Sequence, residues 1–335
     1  MQRLLLLCAP ALLSALRLDV FTAGREGYAC YRIPALTALT NGSLLLIAEG
    51  RRHSCADHGF VDLVLKSSHD GGASWGPLRL IHSESSARAN VTIGNPAPLA
   101  LAGNAVLLPF CRNNLAAGVL FSADGGSSWA LRGSIPTPAS WTWVATGPPA
   151  SLQLQPPSGR ILVPANRKDA SGVDASLVFT SDDLGRTWAV AAGSVPGGNE
   201  DQAVALPWVS PAAVLLSMRS AGGASRLAAL SGDAGATWGA PWPTVAEGEC
   251  EASTIALPAH PAGPLLVMSS AFSAQRLNMT LHVSADAGRT WRPRLQVYPG
   301  SSEYSALVAV SSASVALAWE RDLYTAIAFE APIEI

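Results

Sequence analysis

Ser68-His-Asp-Gly-Gly-Ala-Ser-Trp75 is followed by Ser122-Ala-Asp-Gly-Gly-Ser-Ser-Trp129, Ser181-Asp-Asp-Leu-Gly-Arg-Thr-Trp188, Ser231-Gly-Asp-Ala-Gly-Ala-Thr-Trp238 and Ser284-Ala-Asp-Ala-Gly-Arg-Thr-Trp291. One pattern, Ser-x-Asp-x-Gly-x-x-Trp, covers all five. Successive copies start 54, 59, 50 and 53 residues apart, a period that marks stacked or radially arranged supersecondary units rather than one irregular core. Within each box, glycine supplies a backbone conformation other residues avoid, aspartate and serine bond local amides, and tryptophan is expected to plug the turn onto its own unit. These are structural residues, not catalysts.

Two short apolar runs with the length and bounding turns of strands precede each box. They are 43–49 with 62–66, 105–110 with 118–121, 160–165 with 176–179, 213–218 with 226–230, and 264–268 with 279–283. A sixth pair, 314–319 and 325–329, has no box after it. No long window beyond the first residues carries a helical period, so antiparallel sheet dominates. Radial repetition solves the edge problem at this period by leaving only short edges. The expected fold is therefore all-β: a six-bladed β-propeller of about four antiparallel strands per blade, formed by residues 19–335 as a single domain. The stretch around Val20 and Phe21 is expected to supply the strand that closes the ring against the last blade.

Composition narrows the partners. The 22 Lys and Arg nearly balance 24 Asp and Glu, for a formal net charge of −2, so no electrostatic footprint for nucleic acid or a membrane surface stands out. Lys66 and Lys168 are the only lysines, and in so arginine-rich a chain a single arginine carries little weight by itself. Met1-Gln-Arg3 and the apolar run 4–16 read as a secretory leader over residues 1–18, too short to span a bilayer and interrupted by Pro10. That expectation implies a secreted, endomembrane or lysosomal protein. Cys30, Cys55, Cys111 and Cys250 are compatible with two disulfides or with four buried thiols. Asn41, Asn90 and Asn278 stand in glycosylation acceptor triplets if the chain is secreted.

The alternation of strands sets a polarity. If the box turns lie on one face of the ring, the connection between the two preceding runs lies on the other. Polar side chains collect there: Glu49, Arg51, Arg112, Asn166, Arg167, Arg219 and Glu320. His53 and His58 flank Asp57 in one such connection but have no third partner at ligand spacing, so neither a metal nor any other cofactor is expected.

Tyr31-Arg32-Ile33-Pro34, just upstream of the first unit, resembles the Phe/Tyr-Arg-Ile-Pro signature of the sialidases (exo-α-neuraminidases), which also carry Ser-x-Asp boxes. The resemblance runs from Tyr28 through Tyr324 and includes Gly94-Asn-Pro-Ala-Pro98 and Trp143 to Pro148. It implies retaining hydrolysis of terminal α-linked sialic acid from glycoproteins, glycolipids or oligosaccharides. Three arginines, Arg32, Arg219 and Arg276, match those that clamp the substrate carboxylate, a task suited to a planar fork that stays charged. Tyr304 matches the nucleophile; a phenol spares the attack of a carboxylate on a centre that already bears one. A phenol is a weak nucleophile at neutral pH, so an adjacent base must take its proton, and by resemblance this is Glu200. Glu303, beside Tyr304, does not suit that role, because neighbours on a strand point to opposite faces. Asp57 matches the acid/base, Glu320 the glutamate that orients the first arginine, and Arg51 a further pocket arginine near the ring substituents.

The match weakens in two places. Pro149-Ala-Ser-Leu152 stands where many relatives have a glycine-rich, histidine-containing segment, and Ser269-Ser-Ala-Phe-Ser273 replaces a frequent Asn-Pro. Both bear on linkage preference. Three rival readings share parts of the pattern: a sialic-acid-binding lectin-like propeller without activity, another box-bearing propeller such as a glucan hydrolase or sorting-receptor module, and a trans-sialidase. The first has no use for Tyr304, Glu200 and Asp57 together, and the second none for the three arginines. The third differs only in what attacks the intermediate.

Overall fold

The structure, a computed structural model, describes residues 16–246 and 249–335, so most of the expected leader lies outside the described residues. Antiparallel strands dominate, as the apolar runs require. After β1 (Leu16–Thr22), the first sheet holds β2 (Cys30–Ala38), β3 (Leu44–Arg51), β4 (Val61–Ser68) and β5 (Arg79–His82). The second holds β6 (Ile93–Gly94), β7 (Leu99–Ala100), β8 (Val106–Arg112), β9 (Ala116–Ser122) and β10 (Ala130–Ile135). The third holds β11 (Trp141–Thr146), β12 (Leu152–Gln153), β13 (Ile161–Asp169), β14 (Asp174–Ser181), β15 (Ala189–Val190) and β16 (Val195–Pro196). The fourth is β17 (Gly198–Ala205), β18 (Val214–Ser220), β19 (Ser225–Ser231) and β20 (Trp242–Ala246).

The last sheet runs β1-β26-β25-β24-β23-β22-β21, with β21 (Ser253–Leu257), β22 (Leu265–Ala271), β23 (Leu277–Ser284), β24 (Arg292–Ala309), β25 (Ser314–Arg321) and β26 (Ala326–Glu334). β24 is 18 residues long; its first part pairs with β23 and its last part with β25. The N-terminal strand thus completes the C-terminal sheet, Thr22 opposite Ala326 and Leu16 opposite Ala331. It begins at Leu16 and so takes in three residues that the sequence reading placed in the leader; Arg17 ion-pairs with Glu330 at 2.7 Å. Side chains from every group of strands, Leu36, Leu99, Leu152, Val204, Ile255 and Leu307, line one shared cavity.

Each box follows the strand that the sequence analysis placed before it: β4, β9, β14, β19 and β23 end at the box serines. In the first, Ser68 Oγ accepts the Gly72 amide at 2.8 Å and donates to Asp70 at 2.7 Å, while Ser74 donates twice to the same carboxylate. The hydrogen bonds from Ser74 hold the Asp70 carboxyl down at about 2. One expectation is corrected: the tryptophans do not serve only their own unit. Trp75 meets Phe329 of β26 edge-on at 5.0 Å, and Trp129 packs into a cluster containing Leu45 and Leu65 of the first sheet. The box turn reaches across because its glycine leaves no Cβ, letting the preceding sheet's side chains close over it.

Gly72 makes this testable. It has φ +93°, and a Cβ there would lie 2.1 Å from the Phe329 ring, which is itself buried. Gly71 has φ +70° but opens onto free space. Gly72→Ala should therefore cost roughly 3 kcal/mol from backbone strain plus overpacking, and Gly71→Ala about 1. Equal shifts in chemical denaturation would show that the box glycine is not an inter-sheet contact.

Candidate active site

Three irregularities in otherwise regular ladders fall at or beside three of the expected residues. The β2–β3 register slips between Arg32 and Ala35, β17–β18 between Gly198 and Asp201, and β24–β25 between Ser302 and Ser305. A bulge inserts an unpaired residue and re-aims its side chain. At the first, Pro34 has no amide to give the ladder, and Ile33 takes φ +55°. The second and third bulges carry Glu200 and Tyr304, and the first begins immediately after Arg32, which still pairs with Glu49.

Glu320, on β25 with no exposed side-chain surface, joins two of them. Its Oε1 accepts Arg32 Nε at 2.7 Å and the Ile33 amide at 2.7 Å; its Oε2 accepts the Tyr304 amide at 3.2 Å. Burial opposes the Arg32 charge, but the Glu320 carboxylate more than offsets it and raises the guanidinium's affinity for its proton. Arg32 also lies 3.9 Å from the Tyr324 ring centroid and 5.2 Å from that of Tyr304.

Tyr304 is 7% exposed. Its hydroxyl donates to Glu200 Oε1 in a short hydrogen bond, and Arg219 Nη1 donates to Glu200 Oε2 at 2.9 Å and to the Tyr304 oxygen at 3.4 Å. Burial, then the Glu200 charge, hold the phenol well above its ordinary range, against the pull of Arg219 and Arg32. Its proton therefore leaves only to a partner placed to receive it, and Glu200 is in place. Glu303 points elsewhere: its Oε1 accepts Ser301 Oγ at 2.8 Å, and burial pushes its carboxyl up to about 7.

Asp57 projects from the β3–β4 connection with its side chain 75% exposed. Arg51 Nη1 bonds it at 2.9 Å, and Arg32 Nη1 approaches to 3.6 Å. Partial burial would raise this carboxyl, but the Arg51 charge and hydrogen bond, with Arg32 behind them, leave it below the usual range. Arg51 is in turn gripped by Glu49 Oε2 through Nε at 2.9 Å and Nη2 at 2.7 Å. Arg276, in the β22–β23 turn with φ +54°, donates to the Glu249 carbonyl at 2.8 Å. It sits within electrostatic range of Tyr304 and Arg219 but makes no direct bond to the other two arginines.

Of these groups Arg51, Asp57, Glu200, Arg219 and Tyr304 line a cavity of about 240 Å³, together with Asn166, whereas Arg32, Arg276 and Glu320 are not among its lining residues. Of the polar residues expected on this face, Arg112 and Arg167 are not part of it; they pair with Glu84 and Asp169 instead. Four contributors escaped sequence reading. Glu49 was placed on the face without its grip on Arg51, Tyr324 was not assigned to Arg32, and buried Glu251, which accepts the Ser305 amide at 2.8 Å, was not singled out. The fourth is covalent: Cys30 and Cys55 form a disulfide, while Cys111 and Cys250 stay as buried thiols. Neither two disulfides nor four thiols describes the chain.

Known proteins resemble this chain in sequence and in fold. The sequence family described as BNR repeat-like domain matches residues 42–317. A sialidase of Micromonospora viridifaciens is 30% identical over 90% of this chain and 51% of its own length, and human Sialidase-4 is 31% identical over 51% of this chain and 42% of its own. The chain thus spans about half the length of the curated relatives it matches. Among solved structures, a Hadza microbial sialidase superposes with a TM-score of 0.85 at 24% identity, covering 95% of this chain and 68% of that one. The intramolecular trans-sialidase of Ruminococcus gnavus gives 0.75 at 15% identity, with 95% and 97% covered. At these identities the likeness speaks for the propeller-like all-β fold. The chain belongs to the BNR repeat-like domain family, and the relatives it matches there are sialidases.

Proposed function

We propose that this protein is an exo-α-sialidase that hydrolyses terminal sialic acid from glycoconjugates with retention of configuration, on a six-bladed propeller. The blade count rests on β24, whose two parts pair with different strands, so that the seven-stranded sheet counts as two blades sharing one long strand. The observation that carries the activity is the contact of the Tyr304 hydroxyl with Glu200, between Arg219 and Arg32.

The chemistry follows from charge. A substrate carboxylate enters the field of Arg32, Arg219 and Arg276, which places the anomeric carbon over Tyr304. As the phenol attacks, its proton passes to Glu200, removing the need for a free phenolate that burial forbids. Asp57, on the exposed side, gives a proton to the departing glycosidic oxygen and later takes one from water. Asp57 must be protonated for the first step, so the substrate's own negative charge, by occupying Arg32, weakens the grip that keeps the carboxyl ionised. Two displacements at one carbon retain its configuration.

The purified protein should release sialic acid from a fluorogenic α-sialoside, with the α-anomer first in proton NMR. First release of the β-anomer would contradict the double displacement; binding without release would favour a lectin. A trans-sialidase differs only in the acceptor, so a sialylated acceptor sugar formed in place of free sialic acid would favour transfer.

A further inference from the structure

The connection that carries Asp57 is exposed and is held by a few contacts: Arg51 to Asp57, and the His58 ring edge-on to Trp143. Residues 52–54 and 56–58 are exposed, and a cavity lined by His53, Ser54, Ala56 and His58 opens beneath them. At its ends the Arg52 amide donates to the Phe60 carbonyl at 3.0 Å and the Gly59 amide to the side-chain Oγ1 of Thr92 at 3.0 Å. In the middle stands Cys55, joined to Cys30 with a Cα–Cα separation of 5.2 Å. Both cysteines lie two positions from a residue of the site: Cys30 from Arg32 on the same strand, Cys55 from Asp57. The Cys55 carbonyl also accepts Arg51 Nη1, the atom that bonds Asp57. Strand β2 is paired with β3, Cys30 opposite Arg51, and Cys30 has no exposed surface.

We propose that the Cys30–Cys55 disulfide is a positioning element for proton transfer: it ties the Asp57 loop to the strand that carries Arg32 and so sets the distance between acid and carboxylate clamp. The inference rests on the sialidase reading above. Opening the bond takes two electrons and two protons, from a dithiol that is itself oxidised to a disulfide, and gives two cysteine thiols. The arginine clamp then remains, but the loop gains freedom over the cavity beneath it. Arg32, Tyr304 and Glu200 are on strands and stay in place. The defect is therefore selective: departure of a sugar alkoxide, which needs a proton, suffers more than departure of an activated phenol, which does not.

The test compares kcat/KM, which reports the first bond-breaking step, for sialyllactose and for para-nitrophenyl sialoside. In Cys55→Ser the loss on sialyllactose should exceed the loss on the aryl substrate by about tenfold or more, a fraction of what general acid catalysis contributes. In an Asp57→Ala background, Cys55→Ser should leave that ratio where Asp57→Ala alone puts it, because both changes remove one function. Wild-type enzyme treated with dithiothreitol gives the same comparison should the variant fold poorly. Equal losses on the two substrates, no loss on either, or two free thiols at these positions in the purified protein would each overturn the proposal. A wild type inactive on both substrates would instead bring down the sialidase reading.

Discussion

Tyr304→Phe should lower kcat on an α-sialoside by about 1,000-fold or more, since loss of a nucleophile removes the covalent route and leaves only binding and electrostatics. The fold should barely notice. The change deletes one hydroxyl, and the Glu200 carboxylate it leaves behind still has Arg219 at 2.9 Å, so the stability cost should stay near 1 kcal/mol. Because the phenol is buried and held above its ordinary range, the wild-type activity cannot come from a standing phenolate. Glu200→Gln should thus follow Tyr304→Phe in direction while leaving the ring in place. Wild-type turnover in the purified phenylalanine variant would sink the mechanism.

Arg32→Ala should have a double effect. The carboxylate clamp loses its most buried member, and Glu320, with no exposed side-chain surface, loses the cation that offsets its charge. Breaking one side of a buried pair costs about 3–5 kcal/mol because the other charge is stranded, and kcat/KM should fall by about 100-fold or more with loss of a charged hydrogen-bonding partner. The two losses are separable. In Arg32→Ala/Glu320→Gln the stranded charge is gone, so much of the stability should return in thermal or denaturant unfolding while activity stays low. If activity returned together with stability, Arg32 would be structural only.

How much of this was legible in the sequence differs by level. The boxes located the strand before each turn because their serine, aspartate and glycine bond within a few residues, and such chemistry is written locally. What the tryptophans touch was not: Trp75 against Phe329 joins residues at opposite ends of the chain, and no local pattern records that. In the site, Arg32, Tyr304 and Glu200 could be named by motif, yet the bulges that carry Tyr304 and Glu200 are a property of pairing between strands. The disulfide illustrates the same limit. Four cysteines with no close spacing leave the pairing open, and only the fold brings Cys55 back to Cys30.

The closure of the last sheet by the first strand bears on how the protein comes into being. Arg32 and Glu320 are 288 residues apart in the chain, and β1 has no partner until β26 exists. On a ribosome, the early sheets can form as they emerge, but neither the Arg32 ion pair nor the placement of Tyr304 can be completed before Glu320 of β25 has emerged. Assembly of the candidate site thus waits for β25 and β26, however early the other sheets form. A nascent or C-terminally clipped chain would be largely folded, inert, and left with two unpaired strand edges.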